Sequence, residues 1–163
     1  MIQSSAFDVA GVHNKKALEK QLQQIQDEDD TLDTGIMMFD LNNLKIINDT
    51  YGHEEGDVFI QTFASFLTRI LTENSYLARF GGDEFLILLK CTEEGYQETF
   101  RKRVKDACIY FNEKSGKPFL VEISLGIAEF CSGPQTDIQQ VIATADQLLY
   151  EAKKHRRKSI RRP

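Results

Sequence analysis

The residues with the clearest chemical potential lie in Arg79-Phe80-Gly81-Gly82-Asp83-Glu84-Phe85, which runs into Leu86-Ile87-Leu88-Leu89. Tyr76–Phe80 and Phe85–Leu89 are predicted strands. The two glycines between them predict a hairpin turn, because glycine takes positive φ at no steric cost. Asp83 and Glu84 then stand at the mouth of the second strand. Two readings of them are open. Acids are common in turns, where an isolated pair is solvated. Hard divalent cations also take carboxylate oxygens, which would make the pair part of a metal site.

Ile36-Met37-Met38-Phe39 is a short apolar run without alternation, the pattern of a strand buried on both faces. It ends at Asp40. If that strand runs antiparallel beside Phe85–Leu89, its end and the start of the hairpin strand share one sheet edge. Asp40, Asp83 and Glu84 would then face one small volume, where their mutual repulsion calls for a cation. Mg²⁺ suits such a place, since it takes one or two carboxylates and completes its shell with water and substrate phosphates.

Just beyond Asp40, Asn42–Leu44 opens a predicted helix, and free N–H groups at a helix start bind phosphate. Lys45 follows within reach of an anion held there. Asn48 and Asp57 bracket a loop containing Gly52 and Gly56. Together an amide and a carboxylate match a guanine edge. The carboxylate accepts from N1–H and the 2-amino group, and the amide donates to O6 or N7. Each also has a plainer reading, Asn48 as a polar helix C-terminus and Asp57 as an acid favoured by a helix dipole. Lys153 and Arg157 are four apart and share a helix face. They form a phosphate clamp if that face turns to the metal edge, and are otherwise cations favoured at a helix C-terminus.

The elements that must position these groups follow from periodicity. Asn14 is a predicted N-cap for a helix over Lys15–Gln26. Asp27–Asp30 and Gly35 predict a loop. A helix over Asn42–Tyr51 stops at Gly52, and a second follows Gly56 with Phe59, Ile60, Phe63, Phe66, Leu67, Ile70 and Leu71 inward. Gly95 opens a helix to about Ser115. Phe119–Phe130 reads as a strand and Asp137–Lys158 as the last helix, with Ser159–Pro163 an edge strand or a frayed end. The order predicts an α+β fold with a βαββαβ core of ferredoxin-like type, its mixed, mostly antiparallel sheet flanked by helices.

A chain of 163 residues with 41% hydrophobic and 28% charged residues fits one globular domain. No apolar run is long enough to span a membrane, and the N-terminus lacks a signal-peptide pattern. Cys91, Cys108 and Cys131 are widely spaced without a CxxC, which reads as reduced cytoplasmic thiols rather than a zinc site or a disulfide framework. The net charge of −5 argues against a nucleic-acid partner. Charge is uneven, however, with an acidic run at Asp27–Asp30 and a basic tail from Lys153 to Arg162.

With these residues in view, RFGGDEF at Arg79–Phe85 resembles the signature of the GGDEF domains, the diguanylate cyclases that condense two GTP into cyclic di-GMP. FDLNNLKIINDTYGHEEGD at Phe39–Asp57 is similar to the family's metal-and-guanine segment. EISLGIA at Glu122–Ala128 resembles its late strand, and ADQLLYEAK at Ala145–Lys153 its last helix. The resemblance implies a palm-type, nucleotidyl cyclase-like fold. It implies Asp40, the Leu41 carbonyl, Asp83 and Glu84 as ligands of two Mg²⁺ or Mn²⁺ ions per active site. It implies a part in catalysis for Glu84 and Asp83, with Lys45. Phosphates fall to Lys45 and the backbone of Asn43 and Leu44, terminal phosphates to Lys153 and Arg157, and guanine to Asn48 and Asp57. The resemblance also implies that two half-sites meet in a homodimer.

The resemblance further implies a single domain over residues 1–163 and leaves open that it is excised from a longer signalling protein. Sensor, receiver or phosphodiesterase domains are the partners expected there. The alternative is a silent module that binds GTP for regulation. Several positions depart from the family pattern. Asn42 and Leu44 replace an Asp and a Phe, and Arg156 and Lys158 replace a Gly and an Asn. FDVAGVHNKK at Phe7–Lys16 is a weak copy of the entry motif DxLTGLxNRR. Thr72 and Ser75 stand in place of the RxxD of the product-inhibition site.

Overall fold

β1 (Asp33–Leu41) lies at the centre because both of its faces are apolar. Ile36 and Met38 enter one layer of core, Met37, Phe39 and Leu41 the other, and all five are at most 1% exposed. The computed structural model of the chain describes residues 7, 11–27, 33–90, 95–131 and 133–160, with residues 33 and 157–160 described by backbone alone. β1 pairs with β3 (Glu84–Lys90) on one side and β4 (Ile123–Cys131) on the other, and β2 (Ser75–Arg79) adds outside β3. All three ladders are antiparallel. The mixed sheet expected from the element order is therefore an antiparallel one, in the ferredoxin-like order β2-β3-β1-β4.

The helices sort to the two faces by their apolar stripes. α2 (Leu44–Tyr51), α3 (His53–Ile70) and α4 (Tyr96–Lys114) bury Ile47, Phe59, Phe63, Phe100 and Val104 on one face. α1 (Lys15–Asp27) and α5 (Ile138–Ile160) bury Leu18, Leu22, Ala145 and Leu149 on the other. Asn14 caps α1 as expected, its Oδ1 accepting from the Ala17 N–H at 2.9 Å. Ahead of it, the His13 carbonyl accepts from the Arg79 N–H at 2.9 Å, and its ring stacks on Tyr76 at 4.0 Å. The weak entry motif thus still docks along β2. Within it, residues 8–10 lie outside the described residues.

One close approach sets the position of α5. A Cβ on Gly126 would fall 2.4 Å from the Ala145 carbonyl oxygen and 2.4 Å from the Leu149 amide nitrogen. Only glycine lets the helix backbone rest directly on β4, and this carries the far end of α5 to the edge where β1 ends.

Three boundaries differ from the sequence expectation. α3 begins at His53, not after Gly56, with Glu54 and Glu55 in its first turn, where the helix dipole favours acids. The strand expected from Phe119 begins at Ile123. The Asn112 amide instead takes both backbone groups of Val121, donating to its carbonyl at 2.9 Å and accepting from its N–H at 2.7 Å. Residues 159–160 continue α5 rather than form an edge strand, and 161–163 lie outside the described residues. The loop expected at Asp27–Asp30 lies outside them beyond Asp27, as does Cys91, while Gly35 falls within β1.

Candidate active site

The end of β1 and the start of β3 coincide. Asp40 stands opposite Glu84 in one ladder and Ser124 in the other. The Leu41 N–H donates to the Asp83 carbonyl at 2.9 Å. Asp40, Asp83 and Glu84 are thereby brought to one edge. Asp40 is 5% exposed, and Asp83 and Glu84 are half-buried. The close approach of α5 at Gly126 brings Lys153 to the same edge, where Nζ donates to Asp40 Oδ2 at 2.7 Å. Burial raises the Asp40 carboxyl above its ordinary range. Asp83 and Glu84 push it the same way, and Lys153 opposes them.

The donor chemistry at this edge fits a hard cation. The side chains at this edge, Asp40, Asp83 and Glu84, are carboxylates, the ligand type that such a cation takes. In this conformation Asp40 is paired with an ammonium. Among the described residues, no three His, Cys, Asp or Glu side chains enclose a metal-sized space.

The hairpin holds its acids differently from the expectation. Neither Gly81 nor Gly82 takes positive φ. The turn is closed by the Phe80 and Gly81 N–H groups donating to the Glu84 carbonyl at 2.9 and 3.2 Å. Arg79 folds back over it, Nε donating to the Gly81 and Gly82 carbonyls at 3.2 and 3.1 Å and Nη2 to that of Gly82 at 2.6 Å. Glycine at 81 also leaves room for Glu84, whose Oε2 would lie 3.2 Å from a Cβ there.

On the phosphate side, Asn43 precedes α2 with φ 68, a left-handed conformation that Asn tolerates. The first-turn N–H groups of α2 have no helical acceptors, and Lys45, exposed, belongs to that turn. Asn48 sits in the last turn of α2. Its Oδ1 is buried without a hydrogen-bond partner, and a Cβ on Gly56 would lie 1.8 Å from it. Asn48 is therefore seated in a space that exists because residue 56 is glycine, beside the exposed Asp57. Arg157 lies on α5 one turn beyond Lys153, but its side chain is outside the described residues. Thr72 and Ser75, at the positions of the missing RxxD, bond to each other through their hydroxyls at 3.0 Å. A cavity of about 370 Å³ opens beside the carboxylates, lined by Glu84, Asp146, Gln147, Leu149, Tyr150 and Lys153.

Three contributors were not singled out from the sequence as parts of the site. Arg79 pins the turn. Ser124 Oγ donates to Asn42 Oδ1 at 3.2 Å, a buried pair beside Asp40. Glu122 is bound by Arg156, with Nε donating to Oε2 at 3.0 Å. The strand register opposite Asp40 marks Ser124 once the pairing is known. The Arg156 contact joins residues 34 apart, one on α5 and the other just before β4, and leaves no local signal.

Comparison with known proteins bears on the family and the fold. Residues 6–159 match the family described as "Diguanylate cyclase, GGDEF domain". Diguanylate cyclase DgcP of Pseudomonas aeruginosa is 35% identical over 150 residues, covering 90% of this chain and 22% of that protein. Diguanylate cyclase DgcZ of Escherichia coli is 26% identical, covering 93% of this chain and 51% of its own length. The chain thus spans about half or less of these curated relatives. Among solved structures, diguanylate cyclase SiaD of P. aeruginosa, in complex with its activator SiaC, superposes with TM-score 0.79 at 27% identity, over 91% of this chain and 58% of that one. The GGDEF domain of DgcB from Caulobacter crescentus, solved with c-di-GMP, shares the fold at TM-score 0.79 and 23% identity, over 95% of this chain and 94% of that one. The signature hairpin, the sheet order and the extent of the match together show that the chain belongs to the GGDEF domain family.

Proposed function

We propose that this chain is a diguanylate cyclase domain that joins two GTP into cyclic di-GMP and releases two pyrophosphates. The observation that carries the reading is the placement of Asp40, Asp83 and Glu84 at one sheet edge, with Lys153 bonded to Asp40. Two Mg²⁺ or Mn²⁺ ions, held by these carboxylates and the Leu41 carbonyl, would neutralise phosphate charge and acidify the ribose 3′-hydroxyl. Lys45 and the N–H groups of Asn43 and Leu44 bind phosphates. Lys153 exchanges Asp40 for the terminal phosphates, with Arg157 one turn along the same helix. The buried Oδ1 of Asn48 leaves its amide nitrogen to donate to guanine O6 or N7, and Asp57 accepts from N1–H and the 2-amino group.

Glu84, Asp83 or a water takes the 3′-hydroxyl proton. The 3′-oxygen then bonds to the α-phosphorus of a second GTP as the bond from that phosphorus to its bridging oxygen breaks, releasing pyrophosphate. Positioning and charge neutralisation supply most of the catalysis in such chemistry. Each chain offers one GTP site, so two copies face each other across a two-fold axis.

The pairing of Asp40 with Lys153 favours a second reading, a module that holds GTP without turning it over. Calorimetric titration with GTP, run beside a product assay, separates the two: binding with product supports the cyclase, and binding without product supports the module. ATP offers the wrong donor and acceptor pattern to Asp57, and turnover of ATP equal to that of GTP would refute the guanine assignment.

A further inference from the structure

The turn between β1 and α2 carries the Leu41 carbonyl and the N–H groups of Asn43 and Leu44, and it is held from outside. The Asn42 N–H donates to the Glu122 carbonyl at 2.8 Å. The Glu122 carboxylate is gripped in turn by Arg156 of α5, whose Nε donates to Oε2 at 3.0 Å and whose Nη2 reaches the same oxygen. That Nη2 also lies 3.5 Å from Asn43 Oδ1. Asn43 is the one non-glycine residue with positive φ among those described, a conformation that costs energy for a residue with a Cβ. One planar guanidinium therefore ties the last helix to the residue before β4 and to the strained residue before α2.

We propose that Arg156 is a positioning residue for the nucleotide site. By holding Glu122 and Asn43 against α5 it keeps residues 41–44 in the conformation that presents one carbonyl and two N–H groups to a nucleoside triphosphate. The inference rests on the reading of this edge as a GTP site. The fork matters as well as the charge, because two N–H groups fix Glu122 while a third contact falls on Asn43. The Arg156 and Glu122 side chains are 27% and 47% exposed, so solvent screening limits the effect to a small factor.

The test is amide hydrogen exchange of the nucleotide-free chain, read at Asn42, whose N–H is bonded to the Glu122 carbonyl, in wild type, Arg156→Ala, Arg156→Lys and Glu122→Gln. Arg156→Ala and Glu122→Gln should each speed exchange there about two- to five-fold, with Arg156→Lys recovering only part of the protection. In the product assay, Arg156→Ala should raise KM for GTP by about the same factor with kcat within about two-fold. Unchanged exchange at Asn42 overturns the proposal. So does exchange accelerated equally along β4 and α5 with a lowered Tm, which would make Arg156 a general stabiliser. A wild-type chain that makes no product overturns the cyclase reading, while the exchange result still decides the role of Arg156.

Discussion

Replacing Gly56 by alanine separates the fold of this domain from the base recognition proposed for it. The new Cβ would lie 1.8 Å from Asn48 Oδ1 and 2.9 Å from its Cγ, while Gly56 itself has an ordinary helical backbone. Alanine is favoured over glycine in a helix by about 1 kcal/mol. Against that, Asn48 must leave its seat. Because the clash is with the end of a flexible side chain, the cost is a rotamer change of about 0.5–1.5 kcal/mol. The two terms nearly cancel, so Tm should move by no more than about 3 °C for a chain of this size. Guanine binding should not survive so well. A displaced Asn48 loses a hydrogen bond to the base, worth about 1–2 kcal/mol with the desolvated partner left behind, or roughly a five- to thirty-fold weaker affinity. Thermal melts and calorimetric titration with GTP measure both. A variant that melts like wild type and binds GTP as tightly would refute the role given to Asn48. A Tm fall beyond about 6 °C would refute the argument that only a side chain must yield.

Gly126→Ala should behave in the opposite way, since its Cβ would meet helix backbone at 2.4 Å rather than a side-chain end; a loss of about 1–3 kcal/mol is expected, seen as a fall in Tm, and an unchanged Tm contradicts the packing account. Asp40 gives a pH prediction. Its folded pKa lies above the ordinary 3.8, chiefly through burial, so the folded state keeps the proton to higher pH than the unfolded state does. Its stabilising contribution is full below the ordinary value and is lost as pH rises through the raised one. Urea titrations of the metal-free chain should show this decline in wild type and a flatter profile in Asp40→Asn; identical slopes would count against it. Burial pushes the Cys108 thiol up to about 12, whereas Cys131 is exposed. At pH ~8 a thiol reagent followed by peptide mapping should label Cys131 and reach Cys108 only on unfolding.

Much of this was legible in the chain because it is local. The unbroken apolar run before Asp40 identified a strand covered on both faces, and β1 is central with Ile36 and Met37 in opposite layers. The antiparallel neighbour inferred for it is β3, and the register puts Asp40 opposite Glu84. What was misread depended on partners distant in sequence. Val121 is drawn out of β4 by Asn112. Gly56 looked like a break yet sits inside α3, its absent side chain making room for Asn48. The hairpin glycines promised positive φ, but the turn is held by Arg79 and the Glu84 carbonyl instead. Contacts such as Arg156 with Glu122 arise only once β4 and α5 lie side by side.

The central claim is that the carboxylate edge turns over GTP. The direct measurement is incubation of the purified chain, at concentrations high enough for copies to pair, with GTP and Mg²⁺ or Mn²⁺, followed by chromatographic detection of cyclic di-GMP. Wild type should form cyclic di-GMP and pyrophosphate in a 1:2 ratio, and Glu84→Ala should form none. Absence of product from the wild-type chain at high concentration, with GTP bound, would contradict the account.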